Sequence, residues 1–500
     1  MTASLPAAPG ALRRIADLPG PRGWPLVGSL FQLRRDVIHQ GVERWCRRYG
    51  TLFQFRIGRR RLVVVSDHAL IADVLRDRPQ GWRRTQTLQV ISLEMGLKPG
   101  LFGAEGEAWR AQRRMVMSGL DPGRVRAYFA QLQRVTDRLH RRWLVAAREG
   151  RALDLQSELM RYTVDTVAGL AFGRDINTLE SDGNVIQQHL DRIFPALFRR
   201  VMAPLPYWRW FKLPADRALE RSVLEVKRAI AEFIAEARQR LQAEPARREH
   251  PPNLLEAMIA AAEEGREGIG DEQVSSNVLT MLLAGEDTTA NTLAWLLHLL
   301  HRHPEAMARA RDEAQRVAGG SERTPTLPLV AAPQGGFGRL GSGPAPTEPL
   351  TPEDLSRLEY IEACLHETMR LKPVAPFMVL EALRDTRLGD VQVPAGTMLW
   401  CALRHDALNA QHFAEPLAFR PERWLGDDAG RGKRVATPFG AGPRMCPGRY
   451  LALTEMKMML AMLLSRFDIE SVGAAGDAEA QERMSFTMVP VGLSMRLRAR

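Results

Sequence analysis

The segment Asp271–His303 restricts the possible folds more than any other. It is a long, mostly apolar stretch with helical periodicity, and its length alone would suit a membrane span. Glu286 and Asp287, however, sit side by side near its middle. Two carboxylates at the centre of a bilayer are costly, so the stretch is expected to be a helix buried in a protein core. Such a helix needs other helices packed around it. Arg124–Arg148, Ser222–Gln242, Pro352–Leu371 and Gly448–Arg466 show the required periodicity. Thr51–Asp67 reads as a hairpin around Gly58, Thr386–Thr397 as short strands, and Met484–Leu497 as a terminal hairpin. The fold class expected is mainly α with a small β portion.

A flexible N-terminus over residues 1–17 and a single domain over 18–500 follow from this pattern. About 319–350 is rich in Gly, Pro, Ser and Thr and reads as a surface insertion. Gly336, Gly338 and Gly341 in it match a dinucleotide-binding pattern. No strand precedes them and no helix follows, so the match is read as chance.

The chain carries 69 basic and 58 acidic residues, a net charge of +11. No basic run is interleaved with aromatics, so nucleic-acid binding is not expected. The four cysteines, Cys46, Cys364, Cys401 and Cys446, are scattered, which argues against a disulfide framework or a zinc site. The first residues lack the apolar run of a signal peptide or membrane span, and a monomeric, cytoplasmic protein without a transmembrane anchor is expected. Phe194–Phe211 is unusually aromatic; packing as a lid is expected there, with contact to a membrane surface as the alternative.

The chemistry concentrates in Phe439-Gly440-Ala441-Gly442-Pro443-Arg444-Met445-Cys446-Pro447-Gly448. Glycines on both sides of one cysteine let the backbone wrap closely around the sulfur. Backbone N–H groups and the start of the next helix can then stabilise a thiolate. A lone thiolate suits an iron porphyrin, whose four nitrogens supply the other ligands. In the long helix, Ala284-Gly285-Glu286-Asp287-Thr288-Thr289 places an acid and a hydroxyl together where neither favours helix. A local bulge with a polar pocket is expected there.

With these motifs the sequence resembles the cytochrome P-450 family over about Leu18–Leu497. The family's heme-binding loop reads F-G-x-G-x-R-x-C-x-G, and every specified position matches. The resemblance implies heme b, with Cys446 as the iron's axial ligand, Arg444 on a heme propionate and Phe439 packed near the sulfur. It implies proton delivery by Asp287 and Thr288 during oxygen activation, with Ala284 and Gly285 leaving room over the heme. Relatives with covalently bound heme carry Glu where this chain has Ala284, so covalent attachment is not expected. Trp109 and Arg113, in G-x-x-W-x-x-x-R, correspond to further propionate contacts. Glu367 and Arg370, in E-x-x-R, correspond to a scaffold pair completed by Arg423 of Pro421-Glu422-Arg423-Trp424. Many relatives place Arg or His five residues before the counterpart of Asp385; here that position is Leu380. The missing contact is either absent or supplied elsewhere.

The resemblance further implies monooxygenation of a hydrophobic small molecule at a C–H or C=C bond. Phe102, Ala284, Ala375, Phe377 and Phe486 would line the substrate pocket. No reductase is recognisable in the chain, so NAD(P)H-derived electrons are expected through a ferredoxin or flavodoxin and its reductase. Arg110, Arg114, Lys433, Arg434 and Arg449 could form the basic docking face. Alternatives on the same scaffold are a peroxide-dependent peroxygenase or hydroperoxide isomerase, and a non-catalytic heme sensor.

Overall fold

The apolar stretch forms an uninterrupted α-helix, Asp271–Arg302, buried along most of its length. Its first turn carries Asp271 and Glu272 and its last His301 and Arg302, each sign where the helix dipole favours it. Gln273 accepts from the Gly270 N–H at 3.1 Å and so caps the start. The expected bulge at the acid–hydroxyl cluster is not formed. Thr288 instead donates to the Ala284 carbonyl oxygen at 2.7 Å, which satisfies its hydroxyl within a regular helix.

These features come from a computed structural model describing residues 12–58, 60–98, 100–181, 185–203, 205–265, 270–318, 350–426, 429–473 and 479–500. The expected insertion and its glycine pattern fall on 319–349, outside the described residues. The helices that position the site are α1 (His68–Arg76), α2 (Gly106–Gly119), α3 (Leu155–Phe172), α4 (Val185–Val201), α5 (Asp271–Arg302), α6 (Glu359–Leu371) and α7 (Arg449–Arg466). Helix α5 runs through one large apolar core shared with α3, α6 and α7. None of the described helices is long and apolar enough to cross a membrane.

Two stretches read as single helices are each divided. Arg124–Arg148 is Pro122–Ala127 and Phe129–Arg148, parted at Tyr128, whose hydroxyl donates to the Thr166 carbonyl oxygen at 2.9 Å. Pro352–Leu371 is Pro352–Ser356 followed by α6. The Glu313 carboxylate accepts from the Tyr360 and Ile361 N–H groups, both at 2.8 Å, and so satisfies the new N-terminus.

A five-stranded sheet lies beside the helical core, in the order Leu52–Ile57, Arg60–Val65, Met398–Cys401, Met378–Ala382, Trp82–Arg84. The expected hairpin at Thr51–Asp67 forms its first two strands. The terminal hairpin is a correction. Glu482–Met484 pairs with Met488–Pro490, but Ser494–Ala499 pairs with Phe467–Gly473 in another sheet. A further correction concerns the N-terminus. Flexibility was expected through residue 17, yet Arg13 and Arg14 pair with Val391 and Gln392. Arg13 holds Asp390 with two hydrogen bonds at 2.6 and 2.7 Å.

Candidate active site

The cysteine loop is shaped by its glycines. Gly440 and Gly442 have φ of +72° and +69°, where an L side chain is strained. A Cβ on Gly442 would lie 2.3 Å from the Leu75 carbonyl oxygen, so no side chain fits against the end of α1. The Cys446 N–H donates to the Phe439 carbonyl oxygen at 2.9 Å and closes the loop. The thiol then sits just before the N-terminus of α7. Burial pushes its pKa up, while the Gly448 N–H and the charges of Arg113 and Arg449 pull it down. One backbone donor and two positive charges thus favour the thiolate in a place poorly solvated by water. Cys46, Cys364 and Cys401 are fully buried, whereas Cys446 keeps partial exposure.

Beside this loop lies a cluster of guanidinium groups. Arg444 reaches the Glu105 carboxylate at 2.7 Å, donates to the Ala104 carbonyl oxygen, and stacks 4.7 Å from the Trp109 ring centre. Arg84 donates to the Phe102 carbonyl oxygen at 2.7 Å, and its guanidinium lies 3.4 Å from the Phe102 ring centre. Arg78 is only 2% exposed. Burial is the main cause pulling the Arg78, Arg84 and Arg444 pKa values down; mutual repulsion adds to it at Arg84 and Arg444. For Arg444 the result is about 10, with Arg113 adding to the repulsion.

Among the described residues these cations share a single acidic neighbour, Glu105. Nε and Nη2 of Arg78 and Nε of Arg444 have no hydrogen-bond partner. Buried, unpaired cations are expensive, so the cluster fits a ligand bearing two carboxylates. The propionates of heme have that chemistry.

Arg78 and Arg84 were missed at the sequence level. The signal lay in strand pairing: Arg84 stands directly across from Leu380 in the sheet. Directly paired residues share one face. A cation thus stands on the neighbouring strand, on the same face as Leu380.

On α5, Ala284 is exposed and Thr288 half-buried. Gly285 is constrained by a neighbouring helix. A Cβ there would meet Val167 at 2.4 Å, so its smallness lets α3 pack against α5. Asp287 accepts from Asn291 at 2.7 Å and from the Thr487 hydroxyl. Burial raises its pKa, and those two donors lower it.

Glu367 and Arg370 are wholly buried and joined by two hydrogen bonds at 2.7 and 2.8 Å. Arg423 reaches Glu367 at 3.0 Å, as the third member of the set. A fourth member was not foreseen: the Trp424 indole N–H donates to Glu367 at 2.8 Å. A tryptophan in the Pro421–Trp424 segment thus brings an extra donor to the same carboxylate.

The residues expected to line the pocket separate. Phe486, with φ of +104°, stacks on Phe194 of α4 at 4.3 Å and lies 5.9 Å from Phe102. Phe377 stacks on Trp400 at 4.0 Å instead, and Ala375 is exposed. Of the basic residues suggested for docking, Arg114, Lys433 and Arg434 are exposed; Arg110 and Arg449 are half-buried, and Arg110 pairs with Glu107.

Comparison with known proteins agrees with this geometry. A model of the cytochrome P450 family matches residues 18–497. LUTEIN DEFICIENT 5 of Arabidopsis thaliana is 24% identical over 457 residues, covering 89% of this chain and 71% of that one. Cyclooctat-9-en-7-ol 5-monooxygenase of Streptomyces melanosporofaciens is 29% identical over 426 residues, covering 85% and 83%. A self-sufficient cytochrome P450 monooxygenase of Oidiodendron maius is 27% identical, covering 91% of this chain but 40% of the longer relative. The crystal structure of the cytochrome P450DA heme domain superposes with a TM-score of 0.78 at 24% identity, covering 98% of both chains. The chain belongs to the cytochrome P450 family of heme-thiolate monooxygenases.

Proposed function

We propose that Cys446 ligates the iron of heme b, and that Arg78, Arg84, Arg113, Trp109 and Arg444 hold its propionates. The observation that carries this reading is the half-buried Cys446, beside the Gly448 N–H and the Arg113 charge, next to Arg78 and Arg444 nitrogens that find no acceptor among the described residues. Bound there, heme supplies the oxygen-activating chemistry. The chain's own residues do the rest. The Gly448 N–H and Arg113 stabilise the thiolate. Asp287, anchored by Thr487 and Asn291, relays protons through the neighbouring Thr288 hydroxyl. Thr288 would have to turn from the Ala284 carbonyl to take part, a rotation about one side-chain bond. Phe102 and Phe486 present an apolar wall to the substrate and exclude water.

The substrate is an apolar small molecule, oxygenated at a C–H or C=C bond. Carotene epsilon-monooxygenase of Arabidopsis thaliana, 27% identical over 489 residues, is named for such a compound. Electrons come from NAD(P)H through a separate ferredoxin or flavodoxin and its reductase, docking at exposed Arg114, Lys433 and Arg434. The protein works as a monomer in the cytoplasm.

Retention of Asp287 next to Thr288 favours dioxygen over peroxide as the oxidant. Reconstitution with NAD(P)H, a ferredoxin and its reductase should turn over an apolar substrate faster than hydrogen peroxide does. Turnover with peroxide and none with the reconstituted chain would reverse the assignment.

A further inference from the structure

Two carboxyl groups near α5 have no part in the reading above. Glu286 is 3% exposed, and its Oε1 meets no donor among the described residues. The group set against it is another carboxyl, Asp191 of α4, close enough for a hydrogen bond between the two. Carboxylates are acceptors only, so such a contact requires a proton between them. An amide or an apolar side chain would fill this place at less cost.

Both groups open onto a cavity of about 690 Å³, and so does Asp287. Its walls come from α3, α4, α5 and the hairpin of Glu482–Met484 with Met488–Pro490, with apolar contributions from Phe194, Phe198 and Leu283. The volume is ample for a file of water molecules. Asp287 is fixed by Thr487 and Asn291, while Glu286 Oε1 is held by nothing. A free donor beside an anchored acceptor is the arrangement a proton relay needs.

We infer that Asp191 and Glu286 form a proton-sharing pair that draws protons from water in this cavity and passes them to Asp287. The inference rests on the proton-delivery role proposed for Asp287 and Thr288. Each transfer moves one proton from a carboxylic O–H to a carboxylate oxygen, and the pair is then reprotonated from the cavity. Nothing is oxidised or reduced in these steps; the electrons and dioxygen belong to the monooxygenase reaction itself.

Asp191 itself keeps solvent-exposed surface on α4. Desolvation of its carboxyl against the cavity wall, then the Asp287 charge, pushes it up to about 6, and burial with Asp191 and Asp287 holds Glu286 well above the usual carboxyl range. Arg192 on the same helix opposes the rise at Asp191. Asp36, Asp154, Arg35, Arg199 and Arg483 also face the cavity. Asp191 ionises as pH rises through about 6, while burial and the neighbouring carboxyls hold Glu286 above the usual carboxyl range.

Infrared titration of the resting holoprotein should show a deuterium-sensitive carboxyl band lost as pH rises through about 6. Asp191→Asn should abolish that titration, lower the product formed per electron several-fold and raise the solvent isotope effect on product formation. Substrate affinity, read from the spin-state shift, should stay unchanged, and Asp191→Glu should restore coupling. Glu286→Gln should lower coupling as Asp191→Asn does. If Asp191→Asn and Glu286→Gln keep parental coupling and isotope effect while Asp287→Asn loses them, the pair is not a relay and the Asp287 role stands. If Asp287→Asn also keeps them, both readings fall.

Discussion

Replacing Glu367 with Ala is expected to destabilise the protein by about 3–5 kcal/mol, the usual cost of breaking a buried ion pair. Glu367 accepts from Arg370, Arg423, Trp424 and the Arg420 N–H, and it has no exposed surface. Without it, Arg370 keeps the neutral carbonyl oxygens of Ala407, Pro416 and Ala418 and the Phe413 ring, but no carboxylate among the described residues. Those carbonyls belong to the segment that leads into the cysteine loop, so holoprotein yield should fall with stability. Glu367→Gln retains one acceptor oxygen and should lose less. Denaturant unfolding of the purified holoproteins measures both. A change below about 1 kcal/mol for the alanine variant would be the size of an ordinary surface substitution, and would mean the set is not a structural hub.

Arg78→Leu and Arg84→Leu should act in opposite directions on holoprotein and apoprotein. If these groups meet propionates, each substitution removes a charge-assisted hydrogen bond worth about 1.5–3 kcal/mol. Hemin transfer to excess apomyoglobin should then quicken by roughly 10–100-fold. In the apoprotein the Arg78 charge disfavours that of Arg84, and two Arg78 nitrogens lack acceptors, so removing either guanidinium should hold or raise the thermal midpoint. A substitution that merely damaged the fold would quicken hemin transfer and lower the apoprotein midpoint together. Unchanged hemin transfer would show that the propionates are held elsewhere.

The elements of the site were legible in sequence where chemistry is carried by local spacing. The cysteine loop, the acid–hydroxyl pair of α5 and the Glu367–Arg370 turn each lie within a few residues, so their geometry follows from one turn or one helix. Contacts made across the fold were not legible. Arg84 lies across a strand pair from Leu380, and Glu286 meets Asp191 from another helix. No spacing in the chain encodes either meeting. The packing of Gly285 was not legible for the same reason: a Cβ there would meet Val167 on α3. The β portion was found but its pairing was not. Alternation marks Met484–Leu497 as extended, yet it does not say that Ser494–Ala499 will pair with Phe467–Gly473.

Thiolate ligation by Cys446 is tested most directly by the ferrous–CO difference spectrum of the heme-loaded protein. A thiolate opposite CO gives a strongly red-shifted Soret band, which the wild-type protein should show. Cys446→Ser should lose that band while Cys46→Ser, Cys364→Ser and Cys401→Ser keep it. A folded, heme-loaded Cys446→Ser protein with the band intact, or a wild-type protein without it, would contradict thiolate ligation by Cys446.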